Sequence, residues 1–309
     1  MRIAKFLSVA SFAVLLVFGI VDRSLLPGMA RAVALASEET PNVAVGPQYD
    51  TAHVYVAPDD LNRFVASLLA TFGGTASKPV AVSILPTPSS CLWQAVRTPV
   101  GNFSVFGFET PVPYPFGAER TGYLVSDMDV AIGAARAARA DVVVAPFKDP
   151  IGRDAVIQFP GGVSTQLYWH TTAPSSPPLQ TIPENRVYVS ADRVDEFTRS
   201  FLAFSRGKIV SDEAHAPGVE IGRPGEGYRR IRMESNFGKM AVLVTDGHLP
   251  YPYGRETTGY EVPDLADILG KAKGTGAAIL VTPYSADQRN AALIQFPGGY
   301  IAEIHSRAK

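Results

Sequence analysis

The chain has 309 residues, more than one domain usually holds, so two domains are expected. With 46% hydrophobic and 18% charged residues, its composition is typical of globular proteins. A formal net charge of −1 gives nucleic acid and anionic membrane surfaces no electrostatic attraction, so neither is expected as a partner. The single cysteine, Cys91, excludes an internal disulfide, and its place in an extended run indicates a strand residue rather than a nucleophile.

Residues 1–36 have the three-part pattern of a secretory signal peptide. Arg2 and Lys5 precede an apolar run over residues 6–21, and the small residues within 32–36 fit an A-x-A cleavage pattern. The apolar run is shorter than the ~20 residues that a membrane-spanning helix needs. An uncleaved N-terminal anchor is the alternative. In either case the body of the protein is expected to be exported, as a periplasmic or secreted protein.

The elements predicted next form two similar groups. Residues 53–57 alternate like a strand, and apolar residues at helical spacing predict a helix over 61–72 that Gly73 and Gly74 end. Three extended runs follow, at residues 80–85, 92–98 and 103–110. After a Pro-Tyr-Pro turn, the chain again shows a strand, an alanine-rich helix and three strands, at residues 121–125, 127–140, 142–147, 155–159 and 163–169.

The second half of the chain repeats the first. Residues 113–127 return as residues 250–264, and Ile157–Gly162 returns as Ile294–Gly299, both at an offset of 137 residues. Two separate segments would not share one offset by chance. The sequence therefore predicts two tandem copies of one domain, over residues 50–172 and 185–307. A proline-containing linker over residues 173–184 is expected between them.

The order of elements, with the ending Phe296-Pro-Gly-Gly-x-x-x-Glu303, resembles the vicinal-oxygen-chelate superfamily. This superfamily includes glyoxalases, bleomycin-resistance proteins and extradiol dioxygenases. The resemblance implies an α+β fold of two tandem glyoxalase-like domains, each of paired βαβββ modules that form a concave sheet cleft. A small organic ligand is expected in that cleft.

The resemblance also implies where metal ligands would lie. In copy one these positions map to His53, Glu109 and Gln166, which are the predicted ligands of a divalent metal. In a lyase or isomerase of glyoxalase type, Glu109 would also be the catalytic group that moves a proton. Arg120 maps to a further ligand position, but arginine has no free lone pair for a cation, so it is expected to face an anionic ligand.

Copy two departs from the pattern in another way. Arg186 stands at the position of His53, and Glu303 stands at that of Gln166. A buried salt bridge between Arg186 and Glu303 is therefore predicted across the former metal site. Because neither copy has the two-His, one-carboxylate set, extradiol dioxygenase activity is not expected.

Further ligand-binding residues are predicted from the cleft geometry. Period-two alternation places Tyr168 and His170 on the same strand face as Gln166. We expect both to line the cleft of copy one, together with Tyr55, while Arg186 and Glu303 line that of copy two. Glu119 and Glu256 occupy the same position in the two copies, and this retention indicates a common structural role.

Three functions remain open at this level. The first is a metal-independent protein that binds a small organic molecule. The second is a metal-dependent lyase or isomerase that uses copy one. The third is a structural or interaction module whose clefts are filled by side chains. The residues do not identify a substrate.

Overall fold

A computed structural model of the protein describes residues 41–84 and 87–308. The predicted signal peptide lies outside these residues. Contacts divide the chain into residues 1–39 and residues 40–309, and the fold described below is that of the second unit. Within the part of the chain that the structure describes, no helix is long and apolar enough to cross a membrane.

Copy one forms a single sheet from two modules. The first module contains β1 (Thr51–Val56), α1 (Leu61–Phe72), β2 (Thr75–Ala76), β3 (Val80–Val82), β4 (Cys91–Thr98) and β5 (Gly101–Phe108). The second contains β6 (Thr121–Leu124), α2 (Met128–Ala137), β7 (Asp141–Lys148), β8 (Gly152–Gln158) and β9 (Ser164–His170). The strand order is β2-β4-β5-β1-β6-β9-β8-β7, with β3 also paired to β4.

Copy two repeats this arrangement. Its first module contains β10 (Glu184–Val189), α3 (Val194–Ser205), β11 (Lys208–Pro217), β12 (Gly227–Ser235) and β13 (Gly238–Val244). Its second contains β14 (Thr257–Glu261), α4 (Leu265–Gly274), β15 (Ala278–Ala286), β16 (Arg289–Gln295) and β17 (Ile301–Arg307). The order β11-β12-β13-β10-β14-β17-β16-β15 matches that of copy one apart from the additional strand β3.

The two modules of a copy meet at their first strands. Within each module the first strand runs parallel to the last, as in the pairs β1–β5 and β6–β9. Between the modules, β1 and β6 pair antiparallel, and the amide of His53 donates to the carbonyl oxygen of Arg120 at 2.8 Å. This seam therefore brings side chains of two distant segments together at the centre of the sheet.

The helices pack between the two sheets. The apolar face that the spacing predicted for α1 is buried, with Leu61, Phe64 and Leu68 all at most 1% exposed. Helix α1 lies against α4, and α2 lies against α3, so each apolar core contains residues of both copies. The Phe64 ring, for example, packs edge-on against that of Phe296 at 5.9 Å. The copies thus share their cores.

Each of the two Phe-Pro-Gly-Gly turns packs closely against the opposite copy. Gly298 has a φ of +84°, and a Cβ atom on it would lie 2.7 Å from Cγ1 of Val56. Gly161 has a φ of +92°, and its Cβ atom would lie 3.0 Å from Cγ1 of Val189. Both glycines are therefore required by backbone conformation and by close approach to the first strand of the opposite copy.

Candidate functional site

The sheet face opposite the helices carries an aromatic cluster in copy one. Tyr55, Phe106, Phe108 and Phe116 pack with ring centroids 5.3–6.4 Å apart. Cys91 is buried against this cluster, and burial raises the pKa of its thiol to about 11. The thiol is therefore protonated at neutral pH, and Cys91 has the structural role that the sequence indicated.

His53 lies beside the aromatic cluster in contact with a buried carboxylate. Its side chain is buried, and its Nδ1 is 3.5 Å from Oε1 of Glu119. The same Glu119 oxygen accepts a hydrogen bond from the hydroxyl of Tyr55. Among the described residues, His53 Nδ1 and Glu119 Oε2 are buried without a hydrogen-bond partner. Strand β1 and the loop before β6 thus place two buried polar groups, His53 and Glu119, beside the aromatic cluster.

Gly122, which pairs with Thr51 across the seam, lies beside the His53 ring. A Cβ atom on Gly122 would lie 2.7 Å from Nε2 of His53. Gln166 pairs with Gly122 in the β6–β9 register, and its side chain hydrogen-bonds to Asp154. Burial raises the pKa of Asp154 to about 7, which this hydrogen bond only partly opposes. The position facing His53 therefore offers no metal ligand.

The structure does not bring Glu109 to His53. Glu109 is exposed, and its carboxylate accepts a hydrogen bond from the hydroxyl of Ser90 at 2.5 Å. His53 pairs with Ser104 on β5, and Glu109 lies five residues further on. At the rise of a strand this separates the two by about 16 Å. The predicted set of His53, Glu109 and Gln166 is therefore not assembled.

The described residues do not fit the metal that the fold implies. A protein metal site usually needs three side-chain ligands that converge on one point. Across residues 41–84 and 87–308, no group of three or more His, Cys, Asp or Glu side chains is placed to hold a metal ion. We therefore derive no step through a metal.

In copy two, a guanidinium occupies the equivalent position. Arg186 Nη1 lies 3.7 Å from Oε1 of Glu303 and 3.3 Å from Oε1 of Glu184, so the predicted ion pair is confirmed. His305 Nδ1 lies 2.7 Å from Oε2 of Glu303. Burial alone would raise the pKa of Glu303, but His305 and Arg186 outweigh it and hold that pKa below its ordinary value.

This ion pair belongs to a wider buried network. Arg289 forms two hydrogen bonds to the carboxylate of Glu184, at 2.9 and 3.0 Å. Arg230 has no exposed surface, donates to Glu213 at 2.9 Å and also contacts Glu220. Charged side chains thus fill in copy two the face that aromatic rings fill in copy one. Arg186 and Glu303 are bound to each other and to their neighbours there.

Tyr168 and His170 share a strand face with Gln166, as alternation predicted, but they are engaged elsewhere. The Tyr168 hydroxyl donates to the carbonyl oxygen of Tyr49 at 2.5 Å. The His170 ring is 5.3 Å from that of Tyr168, and partial burial lowers the pKa of His170. Neither residue lines the cavity described next.

A cavity of about 180 Å³ lies where the two copies meet. Copy one contributes the end of β1 and the loop before β6, and copy two contributes the loop before β14 and its Phe-Pro-Gly-Gly turn. Its walls are formed by His53, Tyr55, Gly117, Arg120, Arg255–Thr258 and Gly298–Ile301. The site therefore requires both copies.

Two arginines of this cavity have no carboxylate partner. Arg120 lies with its guanidinium carbon 5.8 Å from the centre of the Tyr55 ring, and that of Arg255 is 5.2 Å from the centre of the Tyr251 ring. Neither forms a salt bridge within 4 Å to any described residue. Both positive charges are therefore available to a ligand. The prediction that Arg120 faces an anion is compatible with this placement.

Glu256 also lines the cavity, and its surroundings differ from those of its repeat counterpart Glu119. Glu256 is half-buried and has no hydrogen bond or salt bridge to the described residues. Burial raises the pKa of Glu256 to about 8; Arg120 opposes this shift and Glu119 adds to it. The two glutamates, for which the sequence indicated a common structural role, therefore have different contacts. In the sequence, the flanking residues distinguish the two positions. Ala118 and Arg120 flank Glu119, whereas Arg255 and Thr257 flank Glu256.

Solved structures share this architecture at low sequence identity. A variant of 4-hydroxymandelate synthase from Streptomyces coelicolor is 13% identical, with 85% of this chain and 93% of that chain covered and a TM-score of 0.56. The 2,2',3-trihydroxybiphenyl 1,2-dioxygenase of Sphingomonas wittichii is 15% identical, with coverage of 85% and 90% and a TM-score of 0.52.

A Mn(II)-bound glyoxalase from Novosphingobium aromaticivorans is 13% identical, with 86% of this chain and 83% of that chain covered and a TM-score of 0.50. No protein-family model and no curated protein sequence matches the chain. The structural likenesses show the fold: this chain has the tandem two-domain fold of the vicinal-oxygen-chelate superfamily. The predicted α+β class and the tandem two-domain fold are thereby confirmed.

Proposed function

We propose that this protein binds a small organic anion in the cavity between its two copies. The observation that supports the proposal is the pair of unpaired guanidiniums, Arg120 and Arg255, in one partly enclosed cavity. Guanidinium groups recognise carboxylates and phosphates through directed, charge-assisted hydrogen bonds. The rings of Tyr55 and Tyr300 add apolar wall to the same cavity.

The size of the cavity limits the ligand. An engineered protein cavity of about 150 Å³ holds benzene. A volume of about 180 Å³ therefore suits a compound with one ring, or an acyclic acid of similar size. We accordingly place the ligand between the copies rather than on the concave sheet faces, which an aromatic cluster and an ionic network occupy.

The proposal is independent of a metal. Glu109 lies too far from His53 to complete the metal set on which a glyoxalase-type reaction would depend. A purely structural module would leave Arg120 unexplained, because a half-buried guanidinium without a salt bridge is costly in the absence of a counter-ion. Binding of an anion accounts for Arg120, and the exposed Arg255 adds a second positive charge to the same cavity.

Calorimetric titration of the purified protein with benzoate and with benzamide tests the proposal. The two probes have the same shape, but only benzoate carries a charge. We expect benzoate to bind more tightly, and Arg120→Met to weaken it by about 10- to 100-fold, since a hydrogen bond to a charged group contributes about 1.5–3 kcal/mol. Arg136→Met, at an exposed position of α2 outside the cavity walls, is the matched control. Equal binding of the two probes, or no effect of Arg120→Met, would refute the proposal.

We also propose, from the N-terminal pattern alone, that the protein is exported. Intact mass measurement after expression with residues 1–36 present tests this. Protein recovered outside the cytoplasm, either shortened by cleavage within residues 32–36 or intact at the membrane, supports export. Recovery of the full-length chain from the cytoplasm alone argues against it.

A further inference from the structure

Glu119 and Glu256 occupy one repeat position but have different contacts. Glu119 is 1% exposed and accepts the hydrogen bond of Tyr55. Tyr188 is the counterpart of Tyr55, but Glu256 makes no such bond to it and instead lines the cavity. Equivalent glutamates of the two copies thus have different surroundings. Glu119 is hydrogen-bonded inside copy one, whereas Glu256 lines the cavity.

The groups that face Glu256 come from both copies. Arg120 and Glu119 interact with it electrostatically from copy one, and Arg255 precedes it in copy two. The remaining titratable cavity residues are His53, Tyr55 and Tyr300. When Glu256 carries a proton, it adds no negative charge beside the two guanidiniums, and the cavity attracts an anion. When Glu256 is ionised, its negative charge offsets theirs and repels the anion.

We infer that Glu256 is the ligand-selecting residue of this cavity, where its protonated carboxyl group donates a hydrogen bond to an oxygen of a bound organic carboxylate. The inference rests on the proposed function. It narrows the ligand from an anion in general to an organic acid whose carboxylate is shared between Arg120 and a neutral carboxyl group. It also couples binding to the proton on Glu256, since loss of that proton removes the donor and adds a like charge.

The experiment compares benzoate affinity of the wild-type protein and Glu256→Gln between pH 7 and pH 9.5. Glutamine has the shape of glutamic acid and a donor that does not titrate. Since the pKa of Glu256 is about 8, wild-type affinity is expected to fall about tenfold per pH unit above that value. The variant is expected to keep its affinity, so that by pH 9.5 it binds benzoate at least tenfold more tightly than wild type.

Two further experiments separate the effect of Glu256 from that of the other titratable groups. Titrations in buffers of different ionisation enthalpy measure proton uptake directly: near pH 8.5 wild type is expected to take up protons on binding benzoate, and Glu256→Gln is not. Repeating both proteins in a His53→Gln background removes the cavity imidazole. Glu226→Gln, an exposed glutamate remote from the cavity walls, is the matched control and should behave like wild type.

The outcomes separate the two proposals. If both proteins bind benzoate with the same pH dependence and the same proton uptake, the inference about Glu256 is overturned while the binding function stands. If neither protein binds benzoate at any pH, the proposed function itself fails.

Discussion

A Cβ atom on Gly122 would lie 2.7 Å from Nε2 of His53. The relationship recurs in copy two, where a Cβ atom on Gly259 would lie 2.6 Å from Oε2 of Glu303. In both copies the second-module strand at the seam therefore carries a glycine, because a polar side chain from a neighbouring strand occupies the space. Position 122 has room for the imidazole only while it has no side chain.

Gly122→Ala is accordingly expected to destabilise the protein by about 1–3 kcal/mol, the usual cost of forcing an extra methyl group into a packed site. Urea denaturation measures the change. Gly133→Ala in α2 is the control, because its Cβ atom meets nothing within 4 Å and should stabilise the helix by up to ~1 kcal/mol. The explanation is wrong if adding His53→Ala to Gly122→Ala does not recover most of the loss.

Arg186 pairs with two buried carboxylates, those of Glu303 and Glu184, and Arg289 also binds the second of them. Arg186→Leu would leave Glu184 and Glu303 without the Arg186 guanidinium, and breaking a buried pair in this way costs about 3–5 kcal/mol. Thermal and urea unfolding should both show the loss. Arg193→Leu, which removes an exposed pair with Glu196, should change stability by less than about 1 kcal/mol. Comparable losses in the two variants would contradict this assignment.

Arg186→His is expected to create a zinc site. It would place an imidazole on β10 beside Glu303 and His305, which already lie 2.7 Å apart, and three such ligands are enough for zinc. Zinc at 100 times its dissociation constant should raise the free energy of unfolding of this variant by about 2.7 kcal/mol. The wild-type protein and the Arg186→His/Glu303→Gln double variant should not respond. Equal zinc effects on all three would disprove the prediction.

Asp50 makes stability depend on pH. It is 2% exposed and accepts a hydrogen bond from Asn185 at 2.9 Å, yet burial raises the pKa of Asp50 well above its ordinary value. The folded state therefore keeps a proton that the unfolded chain loses above about pH 4. The wild-type free energy of unfolding should fall relative to that of Asp50→Asn by up to about 1.4 kcal/mol per pH unit above that point.

Urea titrations of both proteins at pH 4, 5, 6 and 7 measure this difference. It should be smallest at pH 4, where the unfolded state is still largely protonated, and should grow until the folded carboxyl group ionises. A difference that stays constant with pH would show that Asp50 is ionised in the folded protein.

The Phe-Pro-Gly-Gly turn of copy two should be sensitive to a methyl group at Gly298. Gly298→Ala combines an unfavourable positive φ with a contact of 2.7 Å to Val56, whereas Gly162→Ala has the positive φ alone, with nothing within 4 Å. We expect losses of about 1–2 kcal/mol for Gly162→Ala and about 1–3 kcal/mol more for Gly298→Ala. Chemical denaturation distinguishes them. If Val56→Ala does not reduce the additional cost of Gly298→Ala, contact with Val56 is not its cause.

The sequence by itself determined the repeat, the order of the elements and the fold. These follow from local signals that are read within a few residues: helical spacing in α1, the Asp127 cap, which accepts from the amide of Val130 at 2.9 Å, and glycine turns after Phe159 and Phe296. The salt bridge of Arg186 and Glu303 was also accessible, because the repeat aligns each residue with a copy-one position. Local chemistry and internal comparison were sufficient for these features.

Only the tertiary structure decided which side chains meet at the site. The antiparallel seam set the register that places Gly122 beside His53, and the packing of the copies brought Arg120 and Glu256 to one cavity. The residues of these contacts are 69 positions apart in the first case and 136 in the second, and repetition in the sequence does not reveal them. Two glutamates at one repeat position therefore acquired different roles because each is surrounded by different neighbours from the opposite copy.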